Sequence, residues 1–192
     1  MSHPPASWKL TRRQLIADVP IFKAYREHCI HPMDGREGDF SVLECPNCVQ
    51  VIALTPTEEI LLVQQFRFGT KRLSLELPGG ILEPDEDPLA AAARELREET
   101  GYAGLYPELL STIYPNPALM THRLFTVLIR QCRSVGPQQL DPMEEIRCHS
   151  IPLEKLWTHV RDGRIDSGVT LSALFSLKLH LEEHPESFGN CV

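Results

Sequence analysis

Short runs of apolar residues alternate with polar stretches along the chain, and their spacing predicts β-strands. Three runs rich in branched side chains lie in the first half, and the turn PTEE separates the last two of them. These runs are DFSVLEC, CVQVIALT and ILLVQQF. Two later runs, ELLSTIY and HRLFTVLIR, also predict strands. The pattern from Lys9 to about Cys45 is less regular and indicates a separate N-terminal layer.

The segment EDPLAAAARELREETG has the signals of a helix with well-marked ends. Asp87 is a typical N-cap, Pro88 suits the first helical position, and Gly101 follows the last turn. Apolar residues at helical spacing predict one stripe that faces a sheet. The predicted stripe consists of Leu89, Ala92, Ala93 and Leu96.

Two segments near the C-terminus, PLEKLWTHVRDG and VTLSALFSLKLHLEEH, predict further helices that end at Gly163 and before Pro185. Strands, a central helix, more strands and terminal helices together predict a mixed α/β or α+β fold. In such a fold, helices cover both faces of a sheet layer.

Composition narrows the possible functions. A chain of 192 residues is long enough for one well-buried domain, and a net charge of -7 gives no basic surface for nucleic acid or anionic membrane. No secretory signal and no apolar run of membrane-spanning length is visible, so the cytoplasm is the expected location. The six cysteines are therefore expected to be thiols. Cys45 and Cys48 form a C-x-x-C pair without the second pair of a zinc ribbon, which favours a turn and leaves redox or metal use open.

Three carboxylates lie close together on the predicted helix, on a stripe beside the apolar one. Glu95, Glu98 and Glu99 repel one another, at a cost of about 0.2–0.5 kcal/mol per pair. One interpretation is a solvated acidic face held together by Arg94 and Arg97. The other is an oxygen-rich site for Mg²⁺ or Mn²⁺. The glycine-containing loop LPGGILEPDED precedes the helix and favours the second, because exposed backbone and bound metal together hold a phosphate chain.

The spacing of these residues resembles the complete signature of the Nudix hydrolases. The matching positions are Gly80, Glu86, Arg94, Glu95, Leu96, Glu98, Glu99, Gly101 and Tyr102. The resemblance implies an α/β/α sandwich with a mixed β-sheet, and metal-dependent hydrolysis of a nucleoside diphosphate linked to another group. It also implies a ligand set for Mg²⁺ or Mn²⁺ made of Glu95, Glu98, Glu99 and the carbonyl of Gly79. Glu98 and Glu99 would be catalytic as well, while Glu86 and Arg94 would support the site.

Sequences on either side of the signature resemble the ADP-ribose and nucleotide-sugar pyrophosphatase branch, from about Val49 to His180. The matching segments include LLVQQFRFG, EEIRCHSIPLEKL and GRIDSGVTLSALFSLKLH. The branch implies that residues 1–47 form a β-rich dimerisation layer and residues 48–192 the hydrolase domain. ADP-ribose, cleaved to AMP and ribose 5-phosphate, is the first expected substrate, and GDP-mannose or another nucleotide sugar is the alternative.

Within that branch, Arg67, Gly80 and Pro117 are expected to contact the substrate. The loop YPNPALMTHR departs from the glycine-containing loop common in the branch. Its polar residues Asn116, His122 and Arg123 are therefore candidates for binding a phosphate or a sugar hydroxyl, with a solvated strand start as the alternative.

The branch also implies a glutamate before a late strand as general base or metal ligand. The segment DPMEEIR offers Asp141, Glu144 and Glu145. Alignment on the following isoleucine favours Glu144, with Glu145 second, and a plain charged turn is the alternative.

Other classes fit less well. His180, Glu183 and His184 match the H-x-x-E-H pattern of inverted zinc peptidases, but they lie at the end of the last predicted helix, with little chain left to build a cleft. An NADH-type pyrophosphatase is disfavoured, because it would have a zinc ribbon and this sequence lacks the second cysteine pair of one. A non-catalytic Nudix module that senses a nucleotide ligand remains the alternative of a different class.

Overall fold

The structure is a computed structural model that describes residues 5–184. Contacts between Cα atoms divide the chain into two compact units. The first comprises the chain up to Pro46 together with Tyr114–Arg123. The second comprises Asn47–Ile113 and the chain from Leu124 onward. The domain boundary predicted near residue 47 stays a prediction.

The first unit is built on an antiparallel sheet of three strands: β1 (Lys9–Val19), β2 (Phe22–Ile30) and β3 (Glu37–Glu44), in the order β1-β2-β3. Every side chain of β1 is exposed. Because neither face of β1 is buried, its sequence has no clear period of two, and the pattern alone does not predict the strand. The segment Tyr114–Arg123 hydrogen-bonds to β3 within this unit, where Leu119 O accepts from Leu43 N at 2.8 Å.

The second unit contains two further sheets of three strands. One is mixed: β4 (Cys48–Ala53) runs parallel to β8 (Leu124–Ser134), and β7 (Tyr102–Ile113) runs antiparallel to it, in the order β4-β8-β7. The other is antiparallel, with β5 (Glu59–Arg67) between β6 (Arg72–Glu76) and β9 (Ile146–Pro152). Each predicted strand segment of this unit overlaps one of these strands and extends past its ends by at most two residues, whereas the short strand β6 has no counterpart in the predicted elements.

Among residues 5–184, the second unit also contains three helices: α1 (Pro88–Thr100), α2 (Leu153–Arg161) and α3 (Gly168–Glu183). The predicted ends of α1 are confirmed. Asp87 Oδ1 accepts from Leu89 N at 2.8 Å, and Gly101 takes the left-handed conformation and donates to Arg97 O. Pro185, the predicted stop of the last helix, lies outside the described residues.

Two apolar layers lie on opposite faces of β4, because successive side chains of a strand alternate. Val49, Val51 and Ala53 pack in the layer with α1, whereas Ile52 and Leu54 pack in the layer with α2 and α3. The predicted stripe on α1 needs a correction, since Ala93 is exposed and the buried positions are Ala91, Ala92, Leu96, Glu99 and Thr100. Glu99 therefore lies on the buried face of the helix, not beside it.

A row of polar residues crosses the mixed sheet on the face that carries α3. Gln50 on β4 stands beside Thr126 on β8, which stands beside Ser111 on β7. The hydroxyl of Thr170 on α3 donates to Gln50 Oε1 at 3.1 Å, and Ser176 Oγ donates to Ser111 Oγ at 2.8 Å. Thr126 Oγ1 has no hydrogen-bond partner among residues 5–184. These polar groups interrupt a face that is otherwise apolar.

Among the described residues, no helix combines the length and apolar character needed to span a membrane.

Candidate active site

The carboxylates of α1 meet the loop that precedes the helix at Gly79. The side chain of Glu99 is 4% exposed, and its Oε2 accepts a hydrogen bond of 2.7 Å from Gly79 N. The loop itself is fixed by β4, because Val49 N donates to Gly80 O at 2.9 Å and Val51 N donates to Pro78 O at 2.8 Å. The turn at residues 78–80 is thus held between a strand and the buried face of α1.

Both glycines of this turn are closely packed, on opposite sides of the backbone. Gly79 has a φ of 156°, and a Cβ there would overlap the backbone oxygen of Val49 and approach the Gln50 side-chain nitrogen. A Cβ on Gly80 would overlap the carboxylate of Glu95. The backbone of the two-glycine turn therefore lies between Gln50 on one side and the Glu95 carboxylate of α1 on the other.

Arg94 links the acidic groups. Its Nε donates to Glu86 Oε1 at 2.9 Å, and its Nη1 donates to Glu95 Oε1 at 2.9 Å and to Glu98 Oε2 at 3.0 Å. These contacts raise the pKa of Arg94 above its ordinary value, chiefly through the hydrogen bond to Glu86. Glu86 also accepts from Glu83 N at 2.9 Å, which ties the loop to the helix.

The electrostatics of the carboxylates differ according to burial. Burial is the largest cause that raises the pKa of Glu99, to about 8, and the charges of Glu95 and Glu144 add to it, while the hydrogen bond from Gly79 opposes it. Burial also raises the pKa of Glu95, against the hydrogen bond from Arg94. A cation at these carboxylates would lower the cost of ionising both, so the site favours positive charge.

Arg67 and Glu76 form a two-pronged ion pair beside this turn. Arg67 Nε lies 3.1 Å from Glu76 Oε1, and Arg67 Nη2 lies 2.5 Å from Glu76 Oε2. Glu76 is 5% exposed, so the pair fixes the guanidinium at the end of β5. Arg67, Gly79 and Gly80 line a cavity of about 320 Å³, which Gln50 and Ser167 also line.

The two candidate bases of the DPMEEIR segment differ in surroundings. The charge of Glu144 acts on the pKa of Glu95, Glu99 and Arg67. Its Oε2 also accepts from Asp141 N at 3.0 Å, which closes the turn. Glu145 instead lines a separate depression with Phe66 and Leu73. Of the two, Glu144 is the one whose charge reaches the carboxylates of α1.

The other predicted substrate residues belong to the first unit. Pro117 lies in a turn where Met120 N donates to Asn116 O at 2.8 Å, and Arg123 Nε donates to Tyr114 Oη at 3.3 Å. His122 is half-buried, and burial lowers its pKa. Substrate contact by these residues stays a prediction.

The carboxylates suit a hard divalent cation by their chemistry. Within residues 5–184, however, no set of three or more His, Cys, Asp and Glu side chains is arranged as a metal site. Oxygens of Glu95 and Glu98 are instead paired with the guanidinium of Arg94, at 2.9 Å and 3.0 Å. The chemistry of the carboxylate oxygens thus suits Mg²⁺ or Mn²⁺, whereas in this structure the positive charge beside them is the Arg94 guanidinium.

The cysteines and His180 were the other metal-binding candidates in the sequence. No disulfide is formed by the described cysteines, which are Cys29, Cys45, Cys48, Cys132 and Cys148, while Cys191 lies outside the described residues. His180 is 9% exposed and lies 2.8 Å from Arg130 Nη2 through its Nε2.

Three site residues were not found from the sequence pattern. Glu76 fixes Arg67, and Gln138 donates through Nε2 to the backbone oxygens of Glu99 and Ile146, which links α1 to β9. Gln50 lines the cavity from the middle of a buried strand. A polar residue within the otherwise apolar run CVQVIAL is the one sequence signal that pointed to any of them.

Comparison with known proteins gives a consistent picture. The model of the NUDIX domain matches residues 46–172. An ADP-ribose pyrophosphatase of Bacillus subtilis is 28% identical over 172 residues, which cover 89% of this chain and 92% of that protein. An ADP-ribose pyrophosphatase of Saccharomyces cerevisiae is 35% identical over 103 residues, which cover 51% of this chain and 45% of that protein.

A crystal structure of an ADP compounds hydrolase superposes with a TM-score of 0.84 at 18% identity, covering 95% of this chain and 98% of that one. The likeness shows the fold. The predicted mixed α/β architecture with a mixed sheet is confirmed.

Proposed function

Because the chain belongs to the Nudix family of hydrolases, we propose that it cleaves the pyrophosphate bond of a nucleoside diphosphate sugar. ADP-ribose is the first substrate, and the products are AMP and ribose 5-phosphate. The resemblance to the family and to its ADP-ribose and nucleotide-sugar pyrophosphatase branch is confirmed. Relatives named ADP-ribose pyrophosphatase support nucleotide-sugar pyrophosphates as the substrate class.

One observation of this chain carries the proposal. Arg67, anchored by Glu76, and the turn of Gly79 and Gly80 line the same cavity, and the other side of that turn contacts the carboxylates of α1. A diphosphate therefore has a fixed guanidinium on one side and an acidic, cation-seeking cluster on the other. This arrangement suits an anionic group that brings divalent cations with it.

Nudix hydrolases generally use divalent metal ions. In this chain Mg²⁺ or Mn²⁺ would be held by Glu95, Glu98, Glu99 and the Gly79 carbonyl. The ion would supply charge neutralisation of the diphosphate and activation of a water. Arg94 and Glu86 keep the acidic side chains close together, and the hydrogen bond from Gly79 N fixes one oxygen of Glu99. Glu98 and Glu99 are the carboxylates proposed to act in catalysis.

Glu144 is proposed as the group that accepts the proton of the attacking water. It is exposed, and its charge acts on Glu95 and Glu99, so it lies within electrostatic reach of the reacting centre. Glu145 is second because it lines a different depression. A base near the carboxylates would typically contribute a rate factor of about 10²–10⁴.

The first unit is proposed to form a homodimer, and its residues Pro117 and Arg123 are proposed to contact the substrate. Its outer strand β1 exposes large apolar side chains, including Leu10, Leu15 and Ile16, at 47%, 49% and 53%. An exposed apolar edge strand favours pairing with a second copy of the chain. A cytoplasmic location completes the proposal.

The test is release of nucleoside monophosphate in the presence of Mg²⁺ from ADP-ribose, GDP-mannose, UDP-glucose, NADH and diadenosine polyphosphates. We expect selective cleavage of ADP-ribose, lost with EDTA. Preference for GDP-mannose would show that ADP-ribose is not the main substrate, but the protein would still be a nucleotide-sugar pyrophosphatase. Tight binding without turnover of any compound would overturn the proposal in favour of a ligand sensor.

Two variants test the assigned roles. Glu99→Gln and Glu144→Gln are expected to fold and to lose most turnover, whereas Glu83→Gln, an exposed change in the same loop region, keeps it. Full activity of Glu99→Gln or Glu144→Gln would remove that residue from its role.

A further inference from the structure

Gln50 is an unexpected residue for its position. It lies in β4 on the face that carries Ile52 and Leu54, and it is 6% exposed. Burying a side-chain amide costs free energy unless its polar atoms are hydrogen-bonded. Only half of this amide is satisfied. Gln50 Oε1 accepts from Thr170 Oγ1 at 3.1 Å, and Nε2 has no hydrogen-bond partner among the described residues.

Gln50 lines a cavity, and its unpaired nitrogen lies beside the turn that borders this cavity. Gln50 lines the cavity of about 320 Å³ together with Arg67 and the two-glycine turn. A Cβ atom built on Gly79 would lie 3.0 Å from Gln50 Nε2, so this nitrogen lies beside the two-glycine turn. Since Thr170 occupies the oxygen, the group offered to the cavity is a donor.

The N-terminus of α3 borders the same cavity. Ser167 is the N-cap of this 16-residue helix, yet its side chain makes no capping hydrogen bond, and Ser167 and Val169 both line the cavity. The first turn of α3 contains no acidic residue. Asp166, just before the cap, is paired with Arg72. The free backbone N–H groups of a helix N-terminus and its dipole favour an anion.

We propose that Gln50 Nε2, the hydroxyl of Ser167 and the first turn of α3 donate hydrogen bonds to a phosphate group of the substrate and so form a phosphate subsite. The inference rests on the proposed function for the identity of that substrate. Arg67 lies on the wall of the same cavity, so the bound phosphate sits between a guanidinium and a helix N-terminus. The subsite orients the diphosphate across the two-glycine turn toward the carboxylates of α1.

Substitutions separate binding from folding. Ser167→Ala removes a hydroxyl that makes no capping bond, so the melting temperature should not change. Ser172→Ala is the matched control on the same helix, because Ser172 Oγ bonds only locally to Gly168 O. Gln50→Leu removes the donor, and Gln50→Glu replaces it with a negatively charged acceptor.

The first measurement uses metal-free, ¹⁵N-labelled protein in EDTA, titrated with inorganic phosphate. The side-chain amide signal of Gln50, assigned by its loss in Gln50→Leu, is expected to shift. In Ser167→Ala the dissociation constant should rise about tenfold, the loss expected for one hydrogen bond to a charged group, while Ser172→Ala matches the wild type. No shift at saturating phosphate, or unchanged affinity in Ser167→Ala, would overturn the subsite.

The second measurement is turnover of ADP-ribose. Both Ser167→Ala and Gln50→Leu should raise KM about tenfold with little change in kcat, as expected for a contact made equally before and in the transition state. Gln50→Glu should raise the KM further, because its negative charge repels the phosphate. Phosphate binding without turnover of any compound in the panel would refute the proposed function and keep the subsite. Normal turnover with an unchanged KM in the variants would refute the subsite and keep the function.

Discussion

Two buried threonines, Thr126 on β8 and Thr170 on α3, are expected to affect stability in opposite ways. Thr126 is fully buried and its hydroxyl has no partner among residues 5–184, whereas the hydroxyl of Thr170 satisfies Gln50. An unsatisfied buried group costs about 1–3 kcal/mol, and an isosteric apolar replacement removes that cost.

Thr126→Val should therefore raise the free energy of unfolding by about 1 kcal/mol, and Thr170→Val should lower it by about 1–3 kcal/mol because it leaves Gln50 Oε1 unpaired. Urea unfolding with a constant m-value measures both changes. Destabilisation by Thr126→Val would mean that its hydroxyl has a partner.

The ion pair of Arg67 and Glu76 makes stability depend on pH. Burial by itself disfavours ionisation of Glu76, but hydrogen bonds from Arg67 and Ser74 outweigh it and leave the pKa below its ordinary value. A carboxylate with a lowered pKa in the folded state stabilises the fold above its unfolded pKa of about 4.3, and this contribution is lost as the pH falls through the folded value.

Glu76→Gln should thus cost about 1–2 kcal/mol at pH 7, less than a fully buried pair because the Arg67 side chain is 45% exposed. The difference from wild type should shrink steadily as the pH is lowered from 5 toward 3. Unfolding free energies at several pH values measure it, with Glu83→Gln as an exposed control. A difference that stays constant with pH would assign the loss to packing instead.

At the scale of elements, the two-glycine turn joins a strand to a helix. Gly79→Ala would place a methyl group against the backbone oxygen of Val49, and neither backbone can yield without breaking the β4 contacts. The expected result is a loss of more than about 3 kcal/mol of stability together with activity.

Gly69→Ala is the matched control, because nothing lies within 4 Å of a Cβ at that position. Thermal unfolding of the two variants measures the difference. Equal melting temperatures would show that the turn has another conformation in solution.

Element ends and site residues were predictable to different degrees. The caps and length of α1 follow from Asp87, Pro88 and Gly101, and the acidic signature follows from local spacing. Contacts between distant residues leave no local pattern. Gln50 meets Thr170 across 120 positions, and Gln138 reaches Glu99 across 39. Periodicity likewise misses β1, since a strand exposed on both faces needs no alternation.

At the scale of the whole molecule, the exposed apolar residues of strand β1 predict that two copies of the chain associate as a homodimer. We expect a mass in solution of twice the 21.7 kDa of one chain, measured by light scattering during size-exclusion chromatography. Ile16→Asp should give monomers, because burying a charge opposite an apolar partner is unfavourable.

Phe175→Asp is the control, since Phe175 is 61% exposed on α3 in the second unit. A wild-type monomer would contradict dimerisation, and dissociation by Phe175→Asp alone would place the interface on α3.

The contacts of Arg94 also bear on how the protein behaves when it is stripped of metal. A crowd of uncompensated carboxylates would push the loop and helix apart, but here the Arg94 guanidinium pairs with Glu86, Glu95 and Glu98 and offsets part of their charge. A chelator should consequently silence the enzyme without unfolding it, and returning the ion should restore it. Under this proposal the metal would act as a reversible switch on a scaffold that folds without it.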